Sequence, residues 1–149
     1  MKRIIHAMEG SRQWQERQPH LKIVAPQREI QQGIAASACT LSESVGAKAI
    51  ICMTLMGSMA RVLSRHRPLT PIYAISQHDF VIRQLSMFCG VEGIHLADIT
   101  SEFDEAVEHV EAELRTRNLL QAGDRSVFTA GLPFHGRHVT NMVRVKESR

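Results

Sequence analysis

Two short stretches of this sequence hold most of the residues whose types and spacing can do chemistry. The first is Thr54-Leu55-Met56-Gly57-Ser58-Met59. An apolar run ends there, the chain turns through a glycine, and helical spacing begins. Such a turn leaves the first backbone N–H groups of the helix unpaired and aimed at one point, which suits an anion. Thr54 and Ser58 add hydroxyl donors, so Thr54, Gly57 and Ser58 are candidate phosphate contacts. The second stretch is His135-Gly136-Arg137-His138. The arginine fork matches phosphate oxygens in pairs, and histidine strengthens anion binding below about pH 6.5. His135, Gly136 and Arg137 are the candidates there.

Other chemistry has weaker support. His135-x-x-His138 lacks a neighbouring cysteine or carboxylate to complete a metal shell. Neither serine nor cysteine stands in a nucleophile motif with a local histidine. Cys39, Cys52 and Cys89 are odd in number, far apart and mostly in apolar surroundings. They read as reduced, buried thiols in a cytoplasmic protein. His66 and His95 read as packed or surface residues, and Met53, Met56, Met59 and Met87 as core or sheet-edge packing.

The elements that must position these residues follow from periodicity. Ile30, Ile34, Ala38, Leu41 and Val45 mark one helix face, which Gly46 ends. Ala47 to Met53 is a strand buried on both faces. Ser58 to Arg67 is helical until Pro68, and Pro71 to Ile75 is a second buried strand. Ser76-x-x-Asp79 has the spacing of a capping box for a third helix with Val81, Leu85 and Phe88 inward. Gly90 ends that helix and Val91 to Leu96 is a third strand. Thr100 or Ser101 caps a longer helix with Phe103, Val107, Val110 and Leu114 buried. Its solvated face carries Glu102, Glu105, Glu108, Glu111 and Glu113. After a turn at Gly123-Asp124 come strands at Ser126 to Ala130 and Met142 to Val145.

This alternation predicts an α/β fold, a single three-layer domain with a mostly parallel five-stranded sheet and helices on both faces. Lys2 to Glu9 reads as a short amphipathic helix and Gly10 to Pro26 as a linker, in which Trp14 packs on a neighbouring surface. The domain proper runs from 27 to 149. Hydrophobic residues make up 44% and charged residues 22%, as in a soluble globular protein, and no apolar stretch has the length of a membrane span. The net charge of +3 is spread along the chain and aromatics are 5%, which argues against nucleic-acid binding.

Two ordered segments carry a resemblance. One runs from Ala47-Lys48-Ala49-Ile50-Ile51 through Thr54-x-x-Gly57-x-x-Ala60-Arg61-x-x-Ser64-x-x-Arg67-Pro68 to Pro71-Ile72-x-Ala74. The other runs from Gly123-Asp124 through Thr129-Ala130-Gly131-x-Pro133-Phe134 to Thr140-Asn141-x-x-Arg144-Val145. In that order and spacing they resemble the C-terminal, allosteric α/β domain of pyruvate kinases, with Arg83-Gln84-Leu85 and Gly90-Val91 in register between them. The resemblance implies a domain that binds a sugar phosphate or a nucleotide such as AMP and takes part in subunit contacts. It also implies that the turn at Thr54 and the loop from Phe134 to Val139 grip the effector's phosphates together.

Lys2 to Glu9 is similar to the last helix of the family's catalytic barrel, which uses Mg²⁺ and K⁺ to convert phosphoenolpyruvate and ADP to pyruvate and ATP. The barrel's metal-binding signature is absent from this sequence, so the chain alone is expected to need no cofactor and to be inactive. The expected partners are a phosphorylated metabolite, a second copy of the chain, or a barrel domain. Many relatives carry small hydroxyl residues where this chain has Met56 and Met59, and a glycine at His138. That leaves a second reading open, a structural or interaction module whose effector site has decayed.

Overall fold

The computed structural model describes residues 29–100, 102–133 and 139–149. Four helices and five strands are formed in these segments: α1 (Glu29–Ser44), β1 (Ala49–Met53), α2 (Ser58–His66), β2 (Ile72–Ser76), α3 (Asp79–Leu85), β3 (Val91–His95), α4 (Phe103–Thr116), β4 (Arg125–Ala130) and β5 (Met142–Glu147). The expected helix at Lys2 to Glu9, the linker and Trp14 lie outside the described residues.

The sheet order is β3-β2-β1-β4-β5, parallel except for the antiparallel edge strand β5. Every residue of β1 and β2 is buried, as their unbroken apolar runs require of strands covered on both faces. Packing divides by face. Ile50, Cys52, Ile72, Ala74 and Val127 meet residues of α1, α2 and α3, including Ala38, Met59, Leu63 and Leu85. Ile51, Met53, Ile75, Phe128 and Ala130 meet Val107, Val110 and Leu114 of α4 on the other side.

This division follows from chain direction. The path β1-α2-β2-α3-β3 steps one way across the sheet, and right-handed crossovers put both helices on one face. From β3 the chain returns past β2 and β1 to β4, so the same handedness sends α4 to the opposite face. The reversal leaves β1 and β4 as neighbours whose connections diverge, with Cys52 opposite Thr129 in register. The ends of these two strands are the switch point of the sheet, where open α/β folds place their ligands.

Three sequence expectations are corrected. Ser76 and Asp79 form no capping box: α3 starts at Asp79 with His78 at the cap and no side-chain cap bond. Ser76 closes β2, and its hydroxyl instead accepts a hydrogen bond from the His78 N–H and donates to the Leu55 carbonyl. The cap residue of α4 is Glu102, again without a side-chain bond. Thr100 Oγ1 donates to the Glu102 carbonyl, and Ser101 lies outside the described residues. Glu111 is the third correction. It is only 7% exposed, and its carboxylate meets Lys146 Nζ of β5 at 2.7 Å. It lies four residues after Val107 and three before Leu114, on the margin of the buried stripe, where β5 covers it.

Candidate functional site

The turn after β1 is built from short-range bonds. The Thr54 N–H donates to the Ile75 carbonyl at 2.9 Å, extending the β1–β2 ladder by one residue. Thr54 Oγ1 then accepts the Gly57 N–H at 3.0 Å, folding the chain back on itself. Gly57 adopts φ 76° and ψ 4°, a left-handed conformation that side chains disfavour. A Cβ there would lie 3.1 Å from Leu85 Cδ2 and 3.2 Å from Val81 Cγ1, so a glycine is also what lets the turn sit against α3. The buried Ser76 holds the turn from β2 through its bond to the Leu55 carbonyl at 3.3 Å.

Helix α2 starts from this turn. No side chain caps its N-terminus, and its first intrahelical bond joins the Arg61 N–H to the Gly57 carbonyl. The N–H groups of Ser58, Met59 and Ala60 therefore precede the helical ladder, at the positive end of the helix dipole. Gln31 of α1 donates through Nε2 to Ser58 Oγ at 3.3 Å. Both candidate hydroxyls thus act as acceptors within the protein. A hydroxyl in that role keeps its own proton to give to a ligand.

The second candidate stretch follows β4. Residues His135, Gly136 and Arg137 lie outside the described residues, but both ends of their loop are described. It leaves β4 through Gly131, Leu132 and Pro133, the last two joined by a cis peptide, and returns through Val139 and Thr140 to β5. Since β4 lies parallel to β1 and in register with it, the loop leaves the sheet beside the turn at Thr54. Asn141 secures its base: Oδ1 accepts the Leu132 N–H at 2.9 Å and Nδ2 donates to the Leu132 carbonyl at 2.8 Å.

The methionines separate into two pairs. Met53 and Met59 are in the core as expected, whereas Met56 is 57% exposed and Met87 is 85% exposed, contrary to a packing role. Met56 lies at the crest of the turn, beside the equally open Leu55. Cys39 and Cys52 are buried and Cys89 partly so. Burial pushes the Cys52 thiol up to about 12, offset only in part by the neighbouring Thr129 hydroxyl, and burial together with the Glu43 charge pushes Cys39 up to about 12. Neither forms a thiolate at neutral pH, so neither is a nucleophile. His95 is exposed and shares a hydrogen bond with the Gln77 carbonyl, while His66 is partly buried, which lowers its pKa. Among the described residues no group of three or more His, Cys, Asp or Glu side chains is placed to hold a metal ion, and no helix is long and apolar enough to cross a membrane.

Sequence reasoning missed three residues of this region. Gln31 gave no signal, because its role depends on how α1 packs beside α2. Ser76 is visible, but its local spacing to Asp79 points to a helix cap. Asn141 was visible only within the Thr140-Asn141 pair of the family pattern.

Comparison with known proteins bears on the same segments. The family model for the pyruvate kinase alpha/beta domain matches residues 32–146. A pyruvate kinase of Clostridium acetobutylicum is 34% identical over 113 residues, covering 76% of this chain and 24% of that protein. Pyruvate kinase 2 of Synechocystis is 36% identical over 109 residues, covering 72% of this chain and 18% of that protein. The crystal structure of a pyruvate kinase from Cryptosporidium parvum superposes with a TM-score of 0.74 at 26% identity, covering 87% of this chain and 24% of that one. The chain thus spans a quarter or less of the length of these relatives.

Proposed function

The chain belongs to the pyruvate kinase alpha/beta domain family, and from that premise we propose that it is a regulatory and assembly domain that binds a phosphorylated metabolite at the switch point. The observation that carries this reading is the uncapped N-terminus of α2, opened by Gly57 beside the end of β4. The first N–H groups of α2 supply fixed donors, Thr54 and Ser58 supply hydroxyl protons, and Arg137 supplies the cationic fork. A sugar phosphate or AMP presents the oxygens that such a set recognises. The phosphoryl transfer of the parent enzyme, with its Mg²⁺ and K⁺, is assigned to the barrel portion of the relatives and not to these residues.

Ligand binding to the folded state raises the unfolding temperature through linkage. AMP or a hexose phosphate at about 100 times its Kd adds roughly 2.7 kcal/mol, which raises Tm by several degrees in a domain of this size. The expected outcome is such a rise at pH 7.5, larger at pH 6, and lost in Arg137→Ala. No rise with any member of a phosphate panel at either pH would contradict the reading.

The exposed side chains of Leu55 and Met56 favour a second reading, in which the turn is a contact surface for another copy of the chain or for a barrel domain. It predicts a dimer in sedimentation that Met56→Glu disrupts. A monomer at all concentrations would count against self-association through this surface.

A further inference from the structure

The turns after β1 and β2 lie side by side at one end of the sheet, because the two strands are parallel with Met53 opposite Ile75. Ser76, the last residue of β2, stands between them and is 1% exposed. Its hydroxyl donates to the Leu55 carbonyl of the first turn and accepts the His78 N–H of the second at 3.2 Å. Its own carbonyl accepts the Leu96 N–H at 3.0 Å, which keeps the residue fixed in the sheet. His78 in turn anchors α3, since its carbonyl accepts the Val81 N–H at 3.0 Å and the Ile82 N–H at 3.3 Å. A continuous path of hydrogen bonds thus runs from the turn that opens α2 to the first bonds of α3. A hydroxyl can join both ends because it has one proton to give and lone pairs to receive with, and alanine has neither. Buried as it is, Ser76 is held to these two partners rather than to water.

We infer that Ser76 is a coupling residue: through its hydroxyl the turn after β1 and the start of α3 open and close together, so the state of the turn is passed to α3. Phe80 of α3, 44% exposed and stacked on the His78 ring with 5.5 Å between centroids, presents that state at the surface. A steric contact also joins the two segments, Leu85 and Val81 against Gly57, but it does not depend on residue 76. Loss of one net hydrogen bond shifts a local opening equilibrium by roughly three- to tenfold. That a bound phosphate holds the turn rests on the function proposed above; the coupling itself does not.

The test perturbs one turn, reads the other, and removes the link between them. Thr54→Val takes away the acceptor of the Gly57 N–H, and it is made in the full chain with Ser76 present and with Ser76→Ala. Native-state amide hydrogen exchange reads local opening, and each rate is divided by that of Val127 in the buried strand β4, which follows overall stability. Thr54→Val should speed exchange at Ile82 about threefold when Ser76 is present and leave it unchanged in Ser76→Ala. Equal acceleration in both backgrounds would assign the coupling to the packing on Gly57, and no acceleration in either would separate the turns; each result overturns the role of Ser76. Ser76→Thr keeps the hydroxyl and should transmit as the wild type does. If Ser76→Ala does not fold, Ser76→Cys, a weaker donor, takes its place with the same outcomes. Inorganic phosphate supplies the ligand arm. In the wild type it should slow exchange at both Gly57 and Ile82, and in Ser76→Ala at Gly57 alone. Slowing at Gly57 without Ile82 in the wild type contradicts transmission. No effect on either amide contradicts the effector reading instead, and the substitutions still decide the coupling.

Discussion

At Gly57 two constraints meet, a φ of 76° and side chains of α3 within 3.2 Å of where a Cβ would stand. Gly57→Ala should therefore cost about 1–3 kcal/mol in urea unfolding, part from the left-handed backbone and part from displacing Leu85 and Val81. A cost within 0.5 kcal/mol of zero would show that the turn relaxes freely. Thr54→Val keeps the shape of Thr54 but leaves the Gly57 N–H without its acceptor, and should cost about 1 kcal/mol. The thiols behave differently. With Cys39 and Cys52 pushed up to about 12 by burial, iodoacetamide at pH 8 should leave both unmodified in the native protein and label them once it is unfolded. Rapid native labelling of either would contradict their placement in the core.

Helix α4 and strand β5 are joined by a largely buried ion pair, Glu111 with Lys146. Burial alone would raise the Glu111 pKa. The hydrogen-bonded charge of Lys146, with the nearby Ser148 hydroxyl and Arg149 backbone, outweighs it and holds the carboxyl below its ordinary value. A carboxyl depressed on folding contributes stability that is present above its unfolded pKa, about 4.3, and lost as pH falls through the lower folded value. Stability should thus fall in the acid range below about pH 4.3. Glu111→Gln should flatten that part of the profile and lose roughly 1–3 kcal/mol at pH 7. A variant with the wild-type acid profile would remove the pair from the account. Glu111 also marks where the sequence stops being legible. The 3.6-residue period of α4 correctly placed Val107, Val110 and Leu114 inward, and Glu111 borders that stripe. Only the antiparallel return of β5, a long-range event, covers it with Lys146. Ser76 misled for a related reason: its spacing to Asp79 is local, but the acceptor of its hydroxyl, the Leu55 carbonyl, is set by the packing of β2 beside β1. The five strands and the four helices from α1 to α4 were legible because each follows a local periodicity, reinforced in most cases by a glycine or proline at an end. In the site, Gly57 and the start of α2 were legible. The braces from Gln31 and Asn141 were not, since hydrogen bonds between elements leave no periodic trace.

The molecule as a whole is a sheet whose chain direction reverses once, and that reversal brings the turn after β1 beside the end of β4. The family relationship covers residues 32–146, while the relatives are four or more times longer than the portion matched. The purified chain should therefore give no turnover with phosphoenolpyruvate, ADP, Mg²⁺ and K⁺, and measurable pyruvate formation abolished by one substitution in the chain would overturn that division of labour. The central claim is that a phosphorylated metabolite binds at the switch point. Amide chemical-shift mapping during titration with AMP tests it most directly. The account predicts that the largest shifts fall on Gly57, Ser58, Met59 and Ala60 and on the amides flanking the β4–β5 loop, with saturation. Saturating shifts centred elsewhere, or none at millimolar AMP and hexose phosphate, would contradict it.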